Sequence, residues 1–239
     1  MTDTTENQHQ RRVHLPKPKN SAGRNLPVAI ATSVVLITLV LVATYVGPVM
    51  WYPVVSVAAA LAMWETFTRL REHGFGVYRF ASIVLGISMI VSTWPFGYTG
   101  LLATFTVSVL ALMFARLFFH GPDTAPRNYV RDTAVNIFVL VWIGMFGAFA
   151  AMISRLEAPG VAGGFFIITF IACVVANDVG GYTAGVLFGS HPMAPAVSPK
   201  KSWEGFVGSV VLGAVTGVLT GMYLLGTQWW AGLIFGLGI

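Results

Sequence analysis

Charge is scarce in this chain. Only 10% of its 239 residues are Asp, Glu, Lys or Arg, against roughly 25% in a soluble domain. That scarcity excludes an ordinary water-facing surface. There is one cysteine, Cys173, which excludes an intrachain disulfide. No polar stretch is longer than a tail or a loop, so no separate soluble domain is present, and no internal repeat is visible. What the chain has instead is apolar length. Hydrophobic residues make up 56% and the mean hydropathy is +0.75, values that define an integral membrane protein.

A helix needs about 20 largely apolar residues to cross the bilayer core. Seven stretches approach that length, near 26–46, 48–68, 79–95, 98–119, 133–154, 161–177 and 205–225, and an eighth begins near Gln228. The expected fold is an all-α polytopic helix bundle of seven spans plus the start of an eighth. Residues 1–25 are polar and hold Arg11, Arg12, Lys17, Lys19 and Arg24. They cannot bury enough apolar surface to fold and read as a disordered basic tail. The apolar run after them is long enough to be an uncleaved first span rather than a signal peptide. Residues 26–239 then form the membrane domain.

Charge sets the topology. With the tail in the cytoplasm and alternating spans, Arg69, Arg71, Arg79, Arg116, Arg127, Arg131, Lys200 and Lys201 join it there. Thirteen of the fourteen basic residues then lie on one side, and only Arg155 lies outside. That asymmetry is the positive-inside pattern. Short external turns fall at Gly47–Pro48, Trp94–Gly97 and Glu157–Gly160.

The same topology places one polar island, Asn177–Gly205, in the cytoplasm. Asp178 ends the sixth span, and an ionised carboxylate there needs water, a partner or a cation. It reads equally as a helix-end or capping residue and as a cation ligand. If the helix continues, Gly181, Tyr182 and Gly185 share its face. Those glycines serve either close helix packing or the approach of a bulky anion. His191–Pro199 contains three prolines and is expected to be an irregular loop; His191 has no partner at metal spacing. In SPKKSWEG, Ser198 and Ser202 offer hydroxyls, and Lys200 and Lys201 offer cationic donors. Ser202 also suits the N-cap of the next helix. Two lysines beside a helix start form a natural anion site, though lysines also serve topology alone.

NDVGGYTAGVLFG, a short loop and then SPKKSWEG together resemble the core of the phosphatidate cytidylyltransferases, the CDP-diacylglycerol synthases of bacterial membranes. The residues carrying the resemblance are Asp178, Gly181, Tyr182, Gly185 and Gly189, then Ser198, Pro199, Lys200, Lys201, Ser202, Trp203, Glu204 and Gly205. They cover roughly an eighth of the chain, and Trp64–Glu65 is similar to a further family pair. The family pattern continues into a second polar segment, K-R-x-x-x-x-K-D followed by H-G-G and D-R. No such pattern occurs in this sequence. The chain is therefore expected to be a fragment, C-terminally incomplete, with impaired activity alone.

The resemblance implies transfer of a cytidylyl group from CTP to phosphatidate, giving CDP-diacylglycerol and pyrophosphate, with Mg²⁺ as cofactor. It implies Asp178 as metal ligand, Lys200 and Lys201 as phosphate-holding catalytic groups, and Ser198, Ser202, Tyr182, Gly181 and Gly185 as substrate contacts. Glu204 would bind metal or substrate, or cap its helix. CTP, phosphatidate and membrane lipids are the implied partners, with a homodimer as a further expectation and no nucleic acid. The expected location is the cell membrane, multi-pass, with the tail and active-site loop cytoplasmic. Three alternatives stay open: an enzyme acting on another lipid phosphate, a transporter built around a helix broken near Asp178, and a non-catalytic truncated product.

Overall fold

The computed structural model describes residues 26–118, 128–195 and 198–239, with the side chains of Leu26, Pro27, Ala29, Pro199 and Lys200 left out. The basic tail 1–25, Arg127 and the Lys200 side chain thus lie outside the described residues. Helices dominate: α1 Leu26–Val46, α2 Pro48–Glu72, α3 Arg79–Phe118, α4 Tyr129–Val139, a π-helical segment Leu140–Met145, α5 Phe146–Ile153, α6 Gly163–Phe188, α7 Trp203–Tyr223 and α8 Trp229–Leu237. Two short strands, β1 Pro192–Ala194 and β2 Ser198–Ser202, interrupt them. The fold is therefore nearly all-α rather than wholly so.

Among the described residues, five helices are long and apolar enough to cross a membrane: α2, α3, the continuous run Tyr129–Ile153, α6 and α7. The difference from the seven expected comes from two places. Only Ile30–Val46 of α1 counts as a shorter apolar helix. Helix α3 counts once, yet it folds back on itself. A straight helix of 40 residues would be about 60 Å long. Instead, the Tyr78 hydroxyl donates to the Ala115 carbonyl at 3.0 Å, and Ser92 Oγ lies 3.1 Å from Thr104 Oγ1. The reversal sits at Gly97, whose φ of 57° and ψ of −141° are non-helical, just after Pro95. Proline removes a helical donor and glycine accepts the positive φ. The expected spans 79–95 and 98–119 are thus the two arms of one hairpin.

Leu39–Ile239 form one compact unit, and the core and the site both lie in it. Tyr52, Met63 and Phe67 of α2, Met89, Ile90 and Leu101 of α3, and Leu140 of the π segment form its main core. A smaller cluster joins Ala43, Trp51 and Ile167. Trp51 is pinned as well as packed, because its indole N–H donates to the Ala150 carbonyl at 2.9 Å. A hydrophobic exterior remains, including Leu61, Val84, Phe114 and Trp142. A bilayer, unlike water, accommodates such a surface.

Helices α6, α7 and α8 pack by a different rule. Their contacts are glycine on glycine: Gly180 and Gly181 against Gly205 and Gly208, then Gly213 and Gly217 against Gly232 and Gly236. A Cβ at Gly208 would stand 2.5 Å from the Gly180 carbonyl oxygen, and one at Gly205 would stand 2.9 Å from that of Gly181. Small residues let backbones approach where lipid supplies no hydrophobic drive for association.

Candidate active site

Helix α6 does not stop at Asn177 as expected. It runs ten residues past Asp178 to Phe188, about 15 Å further along the axis. The apolar sequence around the glycines sustains it, because Val179, Val186, Leu187 and Phe188 remain good lipid-facing residues. Asp178 is therefore an interior helical residue and neither a helix end nor a cap. The continuity also removes the broken helix on which the transporter reading rested.

The proline-containing stretch after α6 differs from expectation too. It forms an antiparallel hairpin, with Pro192 opposite Ser202 and Ala194 opposite Ser198. Both strands are edges, which tolerate proline's missing donor. Ser202 then N-caps α7: its Oγ accepts the Gly205 N–H at 3.2 Å. That cap follows the sequence expectation.

Together α6, the hairpin and α7 enclose a cleft of about 420 Å³. Asp178, Gly181, Tyr182 and Gly185 line it from α6, Met193 and Lys201 from the hairpin, and Ser202, Gly205, Phe206 and Ser209 from α7 and its cap. Asp178 and Lys201 are exposed, and neither has an ion-pair partner among the described residues. One wall thus offers a carboxylate and another an ammonium, with hydroxyls and helix N–H groups between them. Such a cleft suits an anion accompanied by a cation.

The other expected site residues fall elsewhere. Ser198 is half-buried in β2 and does not line the cleft. Only the backbone of Lys200 is described, in the same strand. Glu204 faces His191, whose Nδ1 lies 2.6 Å from Oε1 and whose backbone N–H donates to Oε2 at 3.3 Å. Gly181 and Gly185 border the cleft and also pack against α7, so the two readings of the glycines coincide at one place.

Sequence reasoning missed three lining residues. Phe206 and Ser209 stand four and seven positions after Ser202, a helical spacing that projects them to the same side. Met193 carried no such signal. Also missed was a polar network at the start of α4. Asp132 is 1% exposed and pairs with both Arg116 and Arg131. Asn136 continues the network, donating to the Asp132 carbonyl at 2.7 Å and to the Gly76 carbonyl at 3.2 Å. A carboxylate at the head of an apolar run was the available signal.

The family model described as the Cytidylyltransferase family matches residues 27–239. The chain belongs to that family. It is 40% identical over 225 residues to phosphatidate cytidylyltransferases of Mycobacterium bovis and Mycobacterium tuberculosis. The match takes in 90% of this chain, with 72% of the first relative and 67% of the second. The phosphatidate cytidylyltransferase of Mycobacterium leprae is 40% identical over 227 residues, covering 89% of this chain and 70% of the relative. No solved structure gives a significant match. As a family member, the chain is a nucleotidyltransferase carried on apolar helices, a multi-pass membrane enzyme.

Proposed function

We propose that this cytidylyltransferase-family protein transfers a cytidylyl group from CTP to phosphatidate, giving CDP-diacylglycerol and pyrophosphate. The observation that carries the reading is the cleft lined by both Asp178 and Lys201, within the segment that resembles the family. Relatives bearing the name phosphatidate cytidylyltransferase, at 40% identity over most of the chain, support it.

The chemistry suits the residues. A phosphate monoester is largely dianionic near neutral pH, with a second pKa of about 6. A phosphatidate oxygen forms the new bond to the α-phosphorus of CTP. The bond from that phosphorus to the bridging oxygen breaks, and pyrophosphate leaves with the electron pair. No strong general base is required. The difficulty is bringing two anions together, so positioning and charge neutralisation carry most of the rate. In this reading Lys201 and Lys200 hold phosphate oxygens. Ser202 and the α7 N-terminus supply hydrogen bonds, and Tyr182, Gly181 and Gly185 shape the wall against which the substrate rests.

Mg²⁺ is part of the proposal. No cluster of three His, Cys, Asp or Glu suited to a metal occurs among the described residues, and Asp178 is the carboxylate lining the cleft. That donor set fits Mg²⁺, which commonly takes one or two carboxylates with substrate phosphates and water. Bound there by Asp178, the ion would neutralise phosphate charge.

The remaining topology belongs to the same proposal. Counting α1 and both arms of α3 gives seven crossings in the cell membrane, with the tail and the β1–β2 hairpin in the cytoplasm. The positive-inside distribution supports that orientation. A homodimer is the proposed assembly, checked by the mass of the detergent-solubilised protein. The activity is tested by reconstituting the chain with CTP, phosphatidate and Mg²⁺. Pyrophosphate release that requires all three supports the reading; release indifferent to phosphatidate overturns it.

A further inference from the structure

We propose that His191 and Glu204 form a positioning clamp that sets where the β1–β2 hairpin holds Lys201 over the cleft. The inference rests on the cytidylyltransferase reading of the cleft and assigns Glu204 a place outside the metal and substrate shell.

A two-stranded hairpin is marginally stable in water on its own. This one has strands of three and five residues, yet it carries Met193 and Lys201 into the cleft lining. Something must fix it against α7. The contacts that do so converge on His191 and the first turn of α7. The Trp203 N–H donates to the His191 carbonyl at 3.0 Å. The His191 N–H donates to Glu204 Oε2 at 3.3 Å, and the imidazole Nδ1 meets Oε1 at 2.6 Å.

A carboxylate is acceptor-only when ionised, so Nδ1 must carry the proton in this pair. Both Glu204 oxygens are thereby engaged, and Glu204 is absent from the cleft lining. A metal ligand would need at least one oxygen turned into the cleft beside Asp178. The carboxylate also sits in the first turn of α7, where the helix dipole favours negative charge. Glu204 thus acts through Lys201, three residues before it, and His191 is the partner that makes that action specific.

The test uses the full chain in lipid vesicles, with His191→Ala, Glu204→Ala, the conservative His191→Asn and Glu204→Gln, and the double alanine variant. Each alanine variant is expected to raise the KM for CTP about threefold, the scale of one ion pair with a solvent-exposed partner, with a smaller change in kcat. His191→Asn and Glu204→Gln keep a donor or acceptor in place and should recover most of the loss. The double variant should be no worse than either single one. The Mg²⁺ concentration for half-maximal rate should not move. An unchanged KM in His191→Ala overturns the clamp. So does a shifted Mg²⁺ requirement in Glu204→Ala alone, which would make Glu204 a ligand.

A second readout does not depend on turnover. Met193→Cys places a thiol on the hairpin, while the natural Cys173 is buried and leaves a low background. Maleimide labelling at position 193 should be several-fold faster when His191→Ala is added, and equal rates also overturn the clamp. If the wild-type chain makes no CDP-lipid, the proposed activity fails while the labelling experiment still decides the clamp.

Discussion

Asp132 and Asp178 both interrupt apolar helices, and the protein treats them in opposite ways. Asp132 is 1% exposed, paired with Arg116 and Arg131, and joined through Asn136 to the turn between α2 and α3. Asp178 is exposed on a cleft wall with no ion-pair partner among the described residues. A buried carboxylate requires paired charge because desolvation otherwise drives it toward neutrality. A carboxylate proposed to take up a cation must instead keep its oxygens free. Saturation within the fold therefore distinguishes a structural charge from one available to ligand.

The packing around each follows the same division. The Asp132 region belongs to a core of large side chains, including Met63, Phe67 and Met89. The Asp178 region is built on backbone contact between glycines. Close backbones leave little that can rearrange, which suits a cleft whose geometry must hold when two anions meet.

The strongest way to break the comparison is Asp132→Ala. It leaves Arg116 and Arg131 without the buried carboxylate, and loss of one partner from a buried pair costs about 3–5 kcal/mol. Thermal unfolding in detergent should show that loss. A variant as stable as the parent would make Asp132 no more structural than Asp178. The counterpart is Asp178→Asn, expected to lower turnover by about 10²–10³-fold, the usual scale for removing one organised electrostatic group. Its melting temperature should stay near that of the parent. Full activity would remove Asp178 from the site.

Smaller effects sharpen the packing contrast. Gly208→Ala puts a Cβ 2.5 Å from the Gly180 carbonyl oxygen, so α6 and α7 must separate. Overpacking of that kind costs about 1–3 kcal/mol, and here it should lower activity as well as stability, since the cleft walls are those two helices. Unchanged activity would show that the cleft tolerates a shift of its walls. Ser202→Ala removes the α7 N-cap and should cost about 1 kcal/mol. A rise in the KM for CTP that Ser202→Gly shares, although Gly keeps most of the capping, would reveal a direct substrate contact by the hydroxyl in addition to the cap.

Much of this was legible before any coordinates. Ser202 was readable as a cap because a hydroxyl precedes Trp-Glu and a long apolar run. The turns at Gly47, Gly97 and Gly160 were readable because glycine follows or precedes proline or polar residues between spans; all three adopt positive φ. The end of α6 was not readable, because polar and small residues after Asn177 look like a loop when their packing partner is unknown. Gly205 and Gly208 supply that partner, and the helix continues. The hairpin was hidden for a similar reason: proline argues against strands in general, but not against two edge strands.

The sequence by itself determined that this is a membrane protein, pointed to the side expected to carry its positive charge, and marked the short segment proposed to hold its chemistry. Those properties depend on composition and on local runs of residue types, which survive without a fold. Only the tertiary structure decided that Asp178 lies inside a helix, that Lys201 lines the same cleft, and that Glu204 faces His191. Each of these is a relation between elements, set by how closely glycine-lined backbones approach and where a hairpin is tethered, and no local pattern encodes it.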